Sequence, residues 1–215
     1  MKKIAMFSAL VVSAFLFARQ ADATLITFTS RTTWASNVSG RIFIEDFETD
    51  PGGFAAITTP YLTAGRGILM QDLLGPIDFQ ILPSGSGLVN GTQGPHFRDF
   101  GNMMSFSFPG GIDVAAFAFD YFYNRSEEAW QLQVNNVVLT LTPSGTFPSP
   151  ANFIGIVSTG APISFFVLTS SAFAQGGLSI DGLSFSPVPE PATLVLFGSG
   201  LAALGAGAWR RRHSK

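Results

Sequence analysis

Val114-Ala115-Ala116-Phe117-Ala118-Phe119-Asp120-Tyr121 is the stretch on which the fold class turns. Ala115, Phe117, Phe119 and Tyr121 fall on one side of an extended chain and Asp120 on the other, the period of a strand with one buried face. Just upstream, residues 103–108 repeat the pattern, with Met104, Phe106 and Phe108 on one face and Ser105 and Ser107 on the other. Pro109-Gly110-Gly111 separates the two runs as a turn. Working outward, further strands are expected at 25–29, 41–47, 67–70, 77–82, 130–134, 137–142, 153–157, 163–168 and 178–185, divided by Gly, Pro, Ser and Asn clusters. One short helix is expected near the start, where Ser30 caps a segment that runs to Asn37 and stops before Gly40, with Trp34 facing inward. About ten short strands with turns between them predict an all-β fold, a two-sheet, jelly-roll-like β-sandwich. Phe106, Phe108, Phe117, Phe119, Phe165 and Phe185 are expected to fill the space between the sheets.

The two ends read differently from this body. Lys2 and Lys3 precede an apolar run of 14 residues at 4–17, and Ala21-Asp22-Ala23 follows with the small-x-small spacing that a signal peptidase accepts. The run is shorter than the roughly 20 residues that span a bilayer, so residues 1–23 are expected to be a signal peptide cut after Ala23. At the other end, residues 192–209 form an uncharged stretch of 18 residues ending in Trp209, long enough for a transmembrane helix. Arg210, Arg211, Arg212 and Lys215 follow it in the basic tail 210–215 and favour a cytoplasmic C-terminus. The sandwich is therefore assigned to 24–187, outside the cytoplasm, and the C-terminal segment to 188–215.

Setting the ends aside changes the charge balance. The whole chain has a formal net charge of −2, but residues 24–187 hold 12 acids against Arg31, Arg41, Arg66, Arg98 and Arg125, a net of −7 with no lysine. A surface of that sign repels phosphate backbones, which excludes nucleic acid as a partner. The chain has no cysteine, so neither disulfides nor thiolate metal sites hold the body together, and a packed core must. His96 is the single histidine of the body, which excludes a zinc site built from several histidines.

Val188-Pro189-Glu190-Pro191, the apolar stretch behind it and the arginine cluster together resemble the PEP-CTERM sorting signal of Gram-negative bacteria that make exopolysaccharide. The resemblance implies processing by an exosortase, an integral-membrane cysteine transpeptidase, at Pro189 to Pro191, with transient anchoring in the inner membrane and delivery to the cell surface or extracellular matrix. Pro191 disfavours helix at Glu190 and keeps that site extended. An ordinary C-terminal anchor with a proline-rich stalk is the alternative. The body is similar to the β-sandwich bodies of unassigned activity found upstream of such tails, through Phe28-Thr29-Ser30 with Trp34, Ile44-Glu45-Asp46-Phe47, Phe117-Ala118-Phe119-Asp120 and Ile180-Asp181-Gly182-Leu183-Ser184-Phe185.

Within the body the candidate chemistry is sparse. A structural Ca2+ of the kind jelly-roll carbohydrate-binding domains hold between an early strand and the last would use Glu45 or Asp46 with Asp181, and Asp120 as an addition; the alternative is that these acids cap turns or face solvent. A Ser-His-Asp triad would need His96 as base, and no Gly-x-Ser-x-Gly elbow accompanies it. Glu127-Glu128 are sequence neighbours and make a poor glycosidase pair. Trp34, Tyr61, Tyr121, Tyr123 and Trp130 are able to stack on a sugar ring, and Tyr121-Phe122-Tyr123-Asn124-Arg125 near Trp130 is the candidate platform, with a core role for Trp34 and Trp130 as the alternative. The expected function is that of a non-enzymatic surface or extracellular-matrix protein sorted by exosortase. A carbohydrate-binding, lectin-like module of the exopolysaccharide layer is the alternative, and a polysaccharide hydrolase the third.

Overall fold

The computed structural model describes residues 24–50, 60–73, 78–82, 94–98, 103–123, 130–144, 151–170 and 177–188. The signal peptide 1–23, the residues after Val188 with their expected transmembrane helix, and Asn124 and Arg125 lie outside them. Among the described residues no helix is long and apolar enough to cross a membrane.

The alternating runs do become strands, and they stack as two antiparallel sheets. In chain order they are β1 (Leu25–Phe28), β2 (Phe43–Glu45), β3 (Tyr61–Leu62), β4 (Leu69–Asp72), β5 (Asp78–Leu82), β6 (Gly94–Arg98), β7 (Met103–Ser107), β8 (Val114–Phe122), β9 (Trp130–Val134), β10 (Val137–Thr140), β11 (Asn152–Ser158), β12 (Phe165–Ser170) and β13 (Leu178–Pro187). A seven-stranded sheet has the order β1-β11-β8-β13-β6-β5, with β2 also on β13, and a six-stranded sheet has the order β10-β9-β12-β7-β4-β3. From β7 onward the chain crosses between sheets at every connection except the β9–β10 hairpin, as in a jelly roll. The 3-10 turn Pro109–Gly111 carries it from β7 to β8, with φ of 64° at Gly110 and 72° at Gly111.

Two strands escaped the sequence reading. Tyr61–Leu62 is too short to show a period, and Gly94–Arg98 contains Pro95, which argues against a central strand. Pro95 is accommodated because β6 pairs with β13 at Phe97 and His96, just short of the residue that has no N–H to give.

Phe117, Phe119 and Tyr121 face the opposite sheet as the alternation requires, although Val114 rather than Ala115 joins the core at the start of β8. The other side of β8 is apolar as well, because the helix α1 (Arg31–Asn37) packs on it. Ser30 caps α1 by accepting from Thr33 N, and Trp34 is buried against Ala116 and Ala118, as expected. Small residues make that approach feasible: a Cβ on Gly155 would sit 2.5 Å from the Trp34 ring. The indole Nε1 donates to Ile156 O at 3.2 Å.

One core expectation is wrong by a single residue. Phe165 was placed in the core but is exposed, and Phe166 is the buried ring. Ile163 faces inward and bridges Val114, yet β12 begins only at Phe165, so the alternation does not run unbroken from Ile163 and the frame slips. Phe166 stacks on Phe117 of the other sheet at 4.5 Å and on Phe106 of its own at 4.6 Å, nearly parallel to both.

These placements separate two adjacent phenylalanines sharply. Phe166→Ala is expected to cost about 3–5 kcal/mol in urea denaturation, whereas Phe165→Ala should stay within about 0.5 kcal/mol.

Candidate functional site

The C-terminal junction is built from the end of β13. Pro187 is opposite Val114, and Val188 N donates to Asp113 O at 3.2 Å, while Val114 and Ile163 exchange backbone bonds of 2.9 and 2.8 Å. Asp113 is itself held by Ser164, whose hydroxyl donates to Oδ1 at 2.6 Å. Val188 is exposed, and the next residue, Pro189, has no N–H with which to extend the ladder. Of the four sorting residues, Val188 is the last described residue, and Pro189, Glu190 and Pro191 lie outside the described residues, as do Ala21, Ala23 and Arg210, Arg211 and Arg212.

The four carboxylates expected to hold calcium are not brought together. Glu45 is paired with Leu183, whose side chain belongs to the core, so Glu45 points inward and is buried. Its carboxylate is committed to donors: Phe47 N at 3.0 Å, Thr63 Oγ1 at 2.6 Å and Arg66 N at 2.5 Å. Asp50 does the same work beside it, accepting from Tyr61 OH at 2.5 Å and Ala64 N at 2.8 Å. Between them these two acids fasten the β3–β4 turn onto the segment after β2, where Phe47 is held at φ 60° with its ring in the core. Asp46 is exposed, and accepts from Glu48 N.

Asp120 and Asp181 are cross-strand partners on the outer face of the seven-stranded sheet, away from Glu45. Arg31 at the start of α1 closes on them, bonding Asp120 Oδ2 at 2.8 Å and Ser184 Oγ at 2.9 Å with its guanidinium 4.9 Å from the Phe153 ring. Gly182, at φ 54° in the bulge between Asp181 and Ser184, leaves room for it: a Cβ there would lie 3.2 Å from the Arg31 guanidinium. Among the described residues no group of three or more His, Asp or Glu has the geometry of a metal site.

The aromatic platform is also corrected. Tyr121, Tyr123 and Trp130 are all buried, at 4%, 1% and 1% exposure, so none of them offers a ring to a sugar. The cause is the same alternation that fixes β8: Tyr121 follows Phe117 and Phe119 to the inner face, and Tyr123 stacks on Tyr121 at 6.3 Å. Tyr123 OH donates to Leu141 O, and Tyr121 OH accepts from Thr142 N, so both phenol oxygens are engaged by the β10 side of the fold. Burial raises the Tyr121 phenol above its ordinary range. His96 Nδ1 lies 2.8 Å from Ser179 Oγ across β6 and β13, but Ser179 is buried and cannot meet a substrate.

The outer face of the six-stranded sheet is exposed at Val138, Gln133, Gln71, Phe165, Leu62 and Thr140 and closed at its middle, where Val167 and Ser105 are 5% and 8% exposed. Its central row crosses five strands as Val138, Gln133, Val167, Ser105 and Gln71. One flanking row is Thr140, Gln131, Thr169 and Met103. The other is Phe165, Ser107, Leu69 and Leu62. None of these thirteen positions is ionisable. Seven of the thirteen are Ser, Gln or Thr and six are apolar, so the sequence signal for the face was a run of neutral residues in place of Lys and Glu.

Residues 187–212 match the family model described as the PEP-CTERM protein-sorting motif, so the chain carries this sorting signal directly after its last strand. No curated protein matches the chain. Among solved structures, variants of the family 29 carbohydrate-binding module CBM29-2 are similar: one has a TM-score of 0.35 at 12% identity over 68% of this chain and 93% of that one. Another, complexed with cellulohexaose, has a TM-score of 0.33 at 13% identity over 69% of this chain and 93% of that one. A structure described simply as carbohydrate binding module family 29 has a TM-score of 0.34 at 12% identity, covering 72% of this chain and 99% of that one. Similarity at this level extends to the sandwich already described and no further.

The buried acids generate two expectations. Glu45→Gln places an amide N–H₂ against donors and should cost about 1–3 kcal/mol, equally in calcium and in chelator; a calcium-dependent difference in unfolding would reinstate an ion at this site. Burial, then the hydrogen bond to Asp50, raises the Tyr61 phenol above its ordinary value of about 10. The folded protein then keeps a proton that the unfolded chain has lost, so stability should fall as pH rises beyond about 10. Tyr61→Phe should flatten that fall in denaturation midpoints measured between about pH 9 and 11.

Proposed function

We propose that this chain is an exported, non-enzymatic surface or extracellular-matrix protein of a Gram-negative bacterium, handed to an exosortase through its C-terminal tail. The observation that carries the reading is the position of the sorting motif: it matches at 187–212, and the last backbone bond of the sandwich is made by Val188. Signal peptidase removes residues 1–23. The segment 192–209 then holds the C-terminus in the inner membrane, with Arg210, Arg211 and Arg212 on the cytoplasmic side. The scissile stretch at Pro189 to Pro191 begins one residue after Val188, which makes the last backbone bond among the described residues. Two prolines one residue apart keep that stretch out of the ladder and out of the helix, so it stays extended for a membrane-embedded transpeptidase. Cleavage there discards Arg210, Arg211, Arg212 and Lys215, and delivers an acidic, lysine-free sandwich to the outside.

A second reading, that the delivered body binds carbohydrate, is favoured by the charge-free outer face of the six-stranded sheet, on which Gln71, Gln133 and Thr140 are exposed. Amides and hydroxyls there supply both donors and acceptors, which is what sugar hydroxyls require.

The intact mass of the protein recovered from cells tests the sorting route. A mass corresponding to Thr24 through about Pro189 is expected from the two cleavages. A mature chain that keeps Trp209 and Lys215 would make the tail an ordinary anchor instead.

A further inference from the structure

We infer that the outer face of the six-stranded sheet is the surface that contacts glycan, and that it takes a neutral polysaccharide. The inference rests on the carbohydrate-binding reading above. Its first support is charge: a body with a net charge of −7 presents thirteen neighbouring positions without one ionisable group. Solvent faces of antiparallel sheets ordinarily carry charged side chains, which are costly to strip of water. A face built from Gln, Ser, Thr and aliphatic residues can be desolvated by a ligand at far lower cost.

The second support is the arrangement. Val138 and Phe165 are 54% and 50% exposed, and Gln133 and Gln71 are exposed between and beside them. Apolar groups and amides therefore alternate across the strands, where a sugar presents C–H patches and hydroxyls alternately. Leu62, at 62% exposed, and its cross-strand neighbour Leu69 add an apolar strip at one margin of the face, beside the polar Ser107. Strands lie about 4.8 Å apart, comparable with one pyranose residue, and the central row of five strands spans about 19 Å. A chain laid across the strands meets Val138 and Gln133 at one end of the row and Gln71 at the other, and passes over the buried Val167 and Ser105 between them.

The third support selects the class of polymer. An acidic polysaccharide needs cations for its carboxylates, and the face has no Lys or Arg, while the field of the acidic body repels it.

The exported protein is compared with its Gln71→Glu/Gln133→Glu and Phe165→Ala forms by affinity electrophoresis in gels containing a neutral β-1,4-glucan, a neutral mannan or acidic alginate. The parent should be retarded by a neutral polymer and not by alginate. Both altered forms should lose about tenfold in affinity while melting with the parent. Retardation that is equal in parent and altered forms overturns this face as the site and leaves the carbohydrate-binding reading intact. Preference for alginate overturns the neutral class. Absence of retardation in every gel overturns both, whereas sorting is decided separately by the mass of the mature chain.

Discussion

The stack of Phe166 between Phe106 and Phe117 is the contact on which the rest of the molecule depends. The ring lies 4.6 Å from one and 4.5 Å from the other, with interplanar angles of 5° and 6°, so a single side chain joins the two sheets face to face. Phe108 extends the cluster at 6.2 Å from Phe166 and 5.6 Å from Phe185, and Phe97 meets Phe106 edge-on at 5.8 Å. Aromatic pairs in such geometries contribute about 0.5–1.5 kcal/mol beyond the area they bury. In a chain without cysteine, this cluster fixes the separation of the sheets where an exported sandwich could otherwise use a disulfide. It also fixes what lies outside. With Phe166 inward, Phe165 and Val167 must turn outward, and the composition of the outer face follows from the packing of the inner one.

The seven-stranded sheet handles its outer face in the opposite manner. Ala116, Ala118 and Gly155 are small, so α1 can press Trp34 onto them, and Arg31 at the start of α1 reaches Asp120 across the bulge at Gly182. Arg31 and Asp120 are both partly exposed, so the ion pair itself contributes little; the planar guanidinium matters because it bonds Asp120 and Ser184 while lying near Phe153. One face is thus covered by a helix and ionic, the other free of ionisable groups at the thirteen positions in its rows and exposed at Val138, Gln133, Gln71 and Phe165.

Much of this was legible because strand alternation is a local property. The pairs Met104/Phe106 and Phe117/Phe119, the Ser30 cap and the inward Trp34 follow from period and capping chemistry within a few residues. What was not legible depends on partners far away in sequence. Glu45 reads as a metal ligand until Thr63 and Arg66 arrive to donate to it, and Tyr123 reads as a platform until Leu141 covers its hydroxyl. The slip at Phe165 has the same origin, since the bridge between Ile163 and Val114 decides where β12 begins. The neutral face was visible strand by strand, at Ser105, Ser107, Gln131 and Gln133. It becomes a surface only once register places those residues in rows.

The tail and the face bear on one another through charge. Within residues 1–23 and 188–215 lie all three lysines and four of the nine arginines, so the proposed processing at both ends would leave a body in which acids outnumber bases by seven. Two of those acids, Glu45 and Asp50, are buried and bonded at the β3–β4 turn. The remaining field keeps such a body soluble and apart from other acidic polymers. On the proposed route, a sorting signal that removes the basic end and a sheet whose described outer rows hold no ionisable residue act in the same direction, presenting neutral hydrogen-bonding groups on a background that repels anions.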